Sequence, residues 1–188
     1  MEAARKTEDR FSYADYCSWP DDERWELISG TAYAMAAPSE AHQRVSREIF
    51  GQLYLFLRGK PCQAYFAPFS VRLNADADDD TVVEPDILVV CDGSKLEDGK
   101  GVVGAPDFVA EVLSPSTATH DLIRKFLLYQ QSGVREYWIA DPDEKLIYAN
   151  VLRDGRYSGS VYTSDNAAVP IEVLDGCSIN LRDVFREE

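Results

Sequence analysis

With 188 residues, 45% of them hydrophobic, and a formal charge of −14, the chain is long enough for one domain with a real core and short for two. No apolar run approaches the roughly eighteen residues a membrane span needs, and the polar start Met1–Asp9 lacks a signal-peptide core. A cytoplasmic protein of a single domain, without membrane contact, is expected. The acidity argues against gripping nucleic acid by bulk electrostatics, which needs clustered Lys and Arg.

Phe11 to Trp19 suits a short helix stopped by Pro20. Trp25–Ile28 and Thr31–Met35 flank Ser29-Gly30, the pattern of a tight hairpin. Ser39 is placed to cap a helix whose Val45, Ile49, Leu53 and Leu57 recur every four residues until Gly59-Lys60-Pro61. Strands are expected at Gln63–Phe66 and Ser70–Leu73, followed by an acidic solvated loop at Asp76, Asp78, Asp79 and Asp80. Gly93 to Gly104 is expected to be a long surface connection. Asp121 to Ser132 gives a second helix, with Leu122, Ile123, Phe126, Leu127 and Gln130 as its inner face and Gly133 at its end. Glu136–Ala140 is a further strand, turned by Asp141-Pro142-Asp143, and hairpins follow through Leu146–Leu152, Tyr157–Tyr162 and Ile171–Leu174. This order of elements is an α/β architecture, a mixed sheet flanked by helices. The four cysteines (Cys17, Cys62, Cys91, Cys177) are scattered, and reduced thiols are expected.

Two apolar runs carry the chemistry. Val83-Glu84-Pro85-Asp86-Ile87-Leu88-Val89-Val90 and Asp107-Phe108-Val109-Ala110-Glu111-Val112-Leu113 suit strands covered on both faces. A buried carboxylate costs several kcal/mol unless a cation, a proton or hydrogen bonds compensate it. Asp86 and Glu111, with the carbonyl of Val112, supply the hard oxygen ligands of Mg²⁺ or Mn²⁺, and Lys125 follows on the next helix. Such a set permits phosphodiester hydrolysis, with Lys125 stabilising charge at phosphorus or orienting water. Duller readings stand beside it. Asp86 could cap a strand start, Glu111 could form a structural ion pair with Lys125, and Lys125 could pair with Asp121 one turn away. Glu26 and His42 are further candidates able to reach a metal-bound water, though each residue type is more often structural. Asp107 is more simply read as opening its strand.

The segments Trp25-Glu26-Leu27-Ile28-Ser29-Gly30, Pro38-Ser39-Glu40-Ala41-His42, Glu84-Pro85-Asp86-Ile87, Glu111-Val112-Leu113-Ser114-Pro115-Ser116-Thr117 and Glu136-Tyr137-Trp138-Ile139-Ala140-Asp141-Pro142 resemble the Uma-two family of restriction-endonuclease-like proteins. The resemblance runs from about Asp15 to Phe185. It implies a PD-(D/E)XK nuclease core, here followed by C-terminal β-hairpins, with a divalent metal site where strands diverge. Asp86 matches the motif aspartate and Glu111 the second carboxylate. Leu113 stands where the motif has lysine, and the lysine of this family lies on the following helix, here Lys125. Lys125-x-x-x-Tyr129 also resembles the Gln-x-x-x-Tyr motif of recombination-type nucleases. The family pattern further marks Glu26 and His42. DNA is the substrate this implies.

Two other function classes fit the same residues. One is a non-catalytic nucleic-acid-binding or regulatory module on the same fold, which the acidity favours. The other is a homodimeric scaffold, suggested by the aromatic C-terminal hairpins with Tyr137, Trp138, Tyr148, Tyr157 and Tyr162. Metal binding separates the enzyme from the scaffold. Lys125 is expected to be removable without loss of folding, and a homodimer is the partner state that the scaffold reading implies.

Overall fold

A computed structural model describes residues 10–20, 22–75, 77–97, 101–114, 118–165 and 168–186, with backbone alone at 97 and 118–122. In chain order the elements are α1 (Tyr13–Tyr16), β1 (Trp25–Ile28), β2 (Thr31–Ala34), α2 (Glu40–Leu57), β3 (Gln63–Phe66), β4 (Val71–Arg72), β5 (Val82–Val83) and β6 (Ile87–Val90). They continue as β7 (Leu96–Glu97), β8 (Gly101–Val103), β9 (Phe108–Val112), α3 (Ala118–Ser132), β10 (Glu136–Asp141), β11 (Leu146–Arg153), β12 (Arg156–Thr163), β13 (Val169–Pro170), β14 (Ser178–Ile179) and α4 (Leu181–Val184).

The main sheet runs β12-β11-β10-β9-β6-β3, with β9 and β10 parallel and the other neighbours antiparallel. The unbroken apolar runs of β6 and β9 are fully buried because both faces of this sheet are covered. On one face Ile87, Val89, Phe108, Ala110 and Trp138 pack against Val45, Ile49, Leu53 and Leu57 of α2. On the other face Leu88, Val90, Val109, Tyr137 and Ile139 pack against Tyr129 of α3 and against Ile28, Val71, Val83 and Val102. Those last residues belong to a second sheet, ordered β2-β1-β5-β4-β8-β7. The mixed sheets with flanking helices are the α/β class expected.

Ser39 caps α2 by accepting from the His42 backbone N–H, and Ser29 and Gly30 both take positive φ in the β1–β2 turn, the pairing that a two-residue hairpin requires. Several expectations fail for identifiable reasons. The Gly93–Gly104 stretch is no plain surface connection, because Gly101 and Val102 are buried where β8 pairs with β4. Ile171–Leu174 is turn rather than strand; Ile171 and Leu174 are buried but make no ladder. The acidic run is not simply solvated: Asp79 pairs with Arg72, and Asp80 is buried against Arg10, Asn74 and Thr81, while Asp76 lies outside the described residues. Ile123 and Leu127 of α3 are exposed, so its inner face is instead the Lys125, Phe126 and Tyr129 side. Cys62 and Cys91 form a disulfide, against the expectation of reduced thiols throughout. They stand just past the paired Gln63 and Val90, so the β3–β6 register sets them opposite one another. Cys17 and Cys177 are free thiols. Among the described residues no helix is long and apolar enough to cross a membrane.

Candidate active site

β6 and β9 pair antiparallel with Ile87 opposite Ala110, which carries the register on to Asp86 opposite Glu111. Opposed residues on neighbouring strands point to the same side, with backbones about 4.8 Å apart. Both acidic side chains therefore belong to the end of the sheet where β6 begins and β9 finishes. The expectation that their strands are neighbours is met.

Asp86 does cap a strand end, but across the sheet: its Oδ2 accepts from the Val112 backbone N–H at 2.8 Å. His42 Nε2 lies 3.0 Å from the same oxygen, reaching it from the first turn of α2. The Nδ1 atom of His42 is buried with no hydrogen-bond partner among the described residues. Burial opposes charge on this imidazole, yet the hydrogen bond and charge of Asp86, with Glu111 adding, raise its pKa above the ordinary value.

Glu111 is held on the α3 side. Its Oε1 accepts from Lys125 Nζ at 2.9 Å and from Tyr129 Oη at 2.7 Å. Lys125 and Tyr129 are four residues apart on α3 and therefore share one helical stripe. The side chains of Asp121 and Leu122, the other expected neighbours of Lys125, lie outside the described residues. Lys125 Nζ also donates to Glu26 Oε1 at 2.8 Å, and that oxygen accepts the Glu84 backbone N–H at 3.0 Å. Burial works against the Lys125 ammonium, but Glu111 and Glu26 beside it hold its pKa well above the usual lysine value. Glu111 is pushed up to about 7, first by burial; Lys125 opposes this, and Asp86 and Glu26 add to it. The structure thus brings Asp86, Glu111, Lys125, Glu26 and His42 into one cluster, with Lys125 bonded to Glu111 and Glu26 and His42 paired with Asp86.

Three residues of this network were not singled out from the sequence. Glu84 Oε2 accepts from Arg24 Nε and Nη2 at 2.9 and 2.8 Å, and its Oε1 accepts from Tyr16 Oη at 3.4 Å. Glu84, two residues before Asp86 in a strand run, has the same parity as Asp86, a signal that was readable. Arg24 and Tyr16 come from distant segments and carried none. Asp107 lies at the other end of β9, bonded to Arg135 and the Cys91 N–H, and opens its strand. Asp141 accepts from the N–H groups of Asp143 and Glu144 as a turn former.

Among the described residues, no three His, Cys, Asp or Glu side chains gather as a metal-holding group. The donor set that could hold a divalent ion is therefore two carboxylates, a carbonyl and water. Asp86 Oδ1 and Glu111 Oε2 accept nothing from the described residues, so each acid keeps an oxygen to offer. The N–H and C=O of a strand residue point the same way, which sets the Val112 carbonyl on the Asp86 side, opposite the Leu113 N–H bonded to Ala140. Mg²⁺ and similar hard ions, which retain several waters, fit such a set.

The Uma2 (Uma-two) family, described as "Putative restriction endonuclease", matches residues 13–182. The chain belongs to this family. It is 28% identical over 132 residues to the uncharacterized protein slr1290 of Synechocystis sp., covering 69% of this chain and 67% of that one. A second Synechocystis protein, the uncharacterized sll1609, is 26% identical over 121 residues, covering 63% and 67%. Among solved structures, the fold is similar to that of "a putative nuclease belonging to DUF820" from Anabaena variabilis ATCC 29413. The TM-score is 0.75 at 19% identity, over 93% of this chain and 97% of that one. The Uma2 chain therefore has the restriction-endonuclease-like fold, and its five candidate residues cluster at one end of the main sheet.

Proposed function

We propose that this Uma2 chain is a single-domain, metal-dependent endonuclease that hydrolyses DNA phosphodiester bonds. The observation that carries this reading is the place of Asp86 and Glu111, each one residue beyond the last β6–β9 pair, with Lys125 bonded to Glu111. Mg²⁺ or Mn²⁺ at this place would supply a nucleophilic water at neutral pH and a counter-charge for the phosphate. Asp86, Glu111 and the Val112 carbonyl would hold it.

The other residues have separate tasks. Val112 N–H and His42 fix Asp86 through Oδ2, leaving Oδ1 without a partner among the described residues. Tyr129 and Lys125 do the same for Glu111 through Oε1. Lys125, charged at any working pH, places a cation where negative charge grows on phosphorus. Glu26 accepts a second bond from Lys125 and so restrains its ammonium. His42 can hold or release a proton beside Asp86.

The test is a cleavage assay on single-stranded, duplex and branched DNA with Mg²⁺ or Mn²⁺. Asp86→Asn should lower the rate by about 100-fold or more, the scale of removing one transition-state stabiliser. Metal-dependent cleavage that survives in Asp86→Asn overturns the assignment. A second reading, a binding or regulatory module without turnover, is favoured by the net charge of −14 and wins if the parent cuts no nucleic acid with either metal.

A further inference from the structure

Next to the Glu84 side of the site stands a wall of rings that neither core uses. Trp19 packs edge-on against Phe11 at 5.4 Å, Tyr16 at 5.4 Å and Trp25 at 5.7 Å between centroids. All four are half-buried, and none belongs to or packs against either hydrophobic core cluster. Trp25 Nε1 donates to Glu23 at 3.1 Å, which sets its ring plane. The wall is joined to the site through Tyr16 Oη, bonded to Glu84. Arg24, adjacent to Trp25, grips Glu84 through Nε and Nη2 and keeps its Nη1 without a partner among the described residues. Its side chain is 37% exposed and close enough to His42 for its charge to oppose imidazole protonation.

We propose that this wall and Arg24 form the seat of a single nucleic-acid strand, with unpaired bases on Trp19 and Trp25 and a phosphate on Arg24. The substrate class of the site is then single-stranded or frayed DNA rather than continuous duplex. This rests on the nuclease reading above. Two observations favour one strand over two. Duplex binding neutralises several phosphates with a stripe of Lys and Arg. This chain has 19 basic against 33 acidic residues, and Arg10, Arg24, Arg72, Arg135 and Lys125 are each paired with a carboxylate, Arg24 being the one that stands beside the rings. Single strands need far fewer cations when aromatic rings stack the bases, and stacking tolerates any sequence.

The experiment follows tryptophan emission of the full chain, with Ca²⁺ replacing Mg²⁺ to hold back turnover, against a twelve-nucleotide oligothymidylate and a twelve-base-pair duplex. Oligothymidylate should quench emission and bind at least about tenfold more tightly than duplex. Trp19→Leu and Trp25→Leu should each weaken it by about five- to 150-fold, and Trp25→Phe by less. Arg24→Gln should lower the salt slope by about one. Equal binding of duplex, or oligothymidylate binding unchanged in both leucine variants, overturns the proposal, and the parent's preference needs no variant to fold. If the chain cuts duplex as fast as single strands with Mg²⁺, the nuclease reading stands and the single-strand seat falls. If it prefers single strands but cuts nothing, the seat stands and the nuclease reading falls.

Discussion

Glu111 and Glu136 sit on adjacent parallel strands, both buried and both with pKa values pushed up to about 7, chiefly by burial. Their surroundings differ. Glu111 faces α3, accepts from a lysine and a tyrosine, and stands opposite a second carboxylate. Glu136 has the parity of Trp138 and Ala140 and therefore faces the α2 side of the sheet. It accepts from Trp138 Nε1 at 2.7 Å and the Val173 N–H at 3.0 Å, both neutral donors. Glu136 ties the 172–173 turn to the sheet, whereas Glu111 gathers charge of both signs at a sheet end. Burial of a carboxylate is thus shared between a structural anchor and a candidate site. The cation and the second acid distinguish them.

Removing the cation breaks this comparison most severely. Lys125→Ala leaves Glu26 and Glu111 facing each other in a buried place, and stripping one partner from such a group costs about 3–5 kcal/mol. Urea unfolding of the variant should show this loss. The sequence-based expectation that Lys125 could go without cost to folding is revised accordingly, since the ammonium bridges two acids rather than one. A variant as stable as the parent would mean that the acids do not need the lysine. A double variant, Lys125→Met with Glu111→Gln, should recover part of the loss.

The anchor is tested by pH. Glu136 binds its proton more tightly folded, with a pKa of about 7 against an ordinary 4.5. The folded state therefore holds more protons than the unfolded one between these values. Stability from this group is complete below about pH 4.5 and is lost as pH rises to about 7, a change on the order of 3 kcal/mol. Glu136→Gln should flatten the fall in stability over that window while changing cleavage by no more than about twofold. A slope unchanged in the variant refutes the role given to Glu136.

Metal should act on one region and not the other. Divalent metal at 100 times its dissociation constant stabilises a native state by about 2.7 kcal/mol. Mg²⁺ or Mn²⁺ should raise the melting temperature of the parent and of Glu136→Gln alike, and fail to raise that of Glu111→Gln. The same rise in Glu111→Gln would remove Glu111 from the ligand set.

How much of this was legible beforehand follows the range of the interactions. The carboxylates just before β6 and within β9 stood out because charge in an unbroken apolar run has a local cost that sequence displays. The α2 helix was legible from its four-residue apolar period and from Ser39. The α3 face was misread because Ile123 and Leu127 are apolar yet exposed, while the inward stripe is built on Lys125, whose burial depends on partners in β1 and β9. Nothing near Glu26 in sequence signals its bond to Lys125, 99 residues away. The Cys62–Cys91 pair likewise needed the β3–β6 register, and Arg24 needed the fold to bring Glu84 to it.

The smallest expected effect asks whether position or charge matters at Glu111. Arg124 neighbours Lys125 on α3 but points about 100° away around the helix, with its guanidinium 4.3 Å over the ring of Tyr33. A cation over an aromatic face contributes about 0.5–1 kcal/mol at an exposed site and more when desolvated. Arg124→Ala should therefore cost on the order of 1 kcal/mol in urea unfolding and leave cleavage within about twofold. Both substitutions delete one positive charge from the same turn of helix, so the general field of the protein changes almost equally. Lys125 donates to both Glu111 and Glu26, whereas the described contact of Arg124 is with the ring of Tyr33. If cleavage by Arg124→Ala falls as far as in Lys125→Ala, the site responds to net charge along α3, and the contact between Lys125 and Glu111 loses its special standing. If only Lys125→Ala cuts slowly, the contact itself separates the Glu111 region from the Glu136 region.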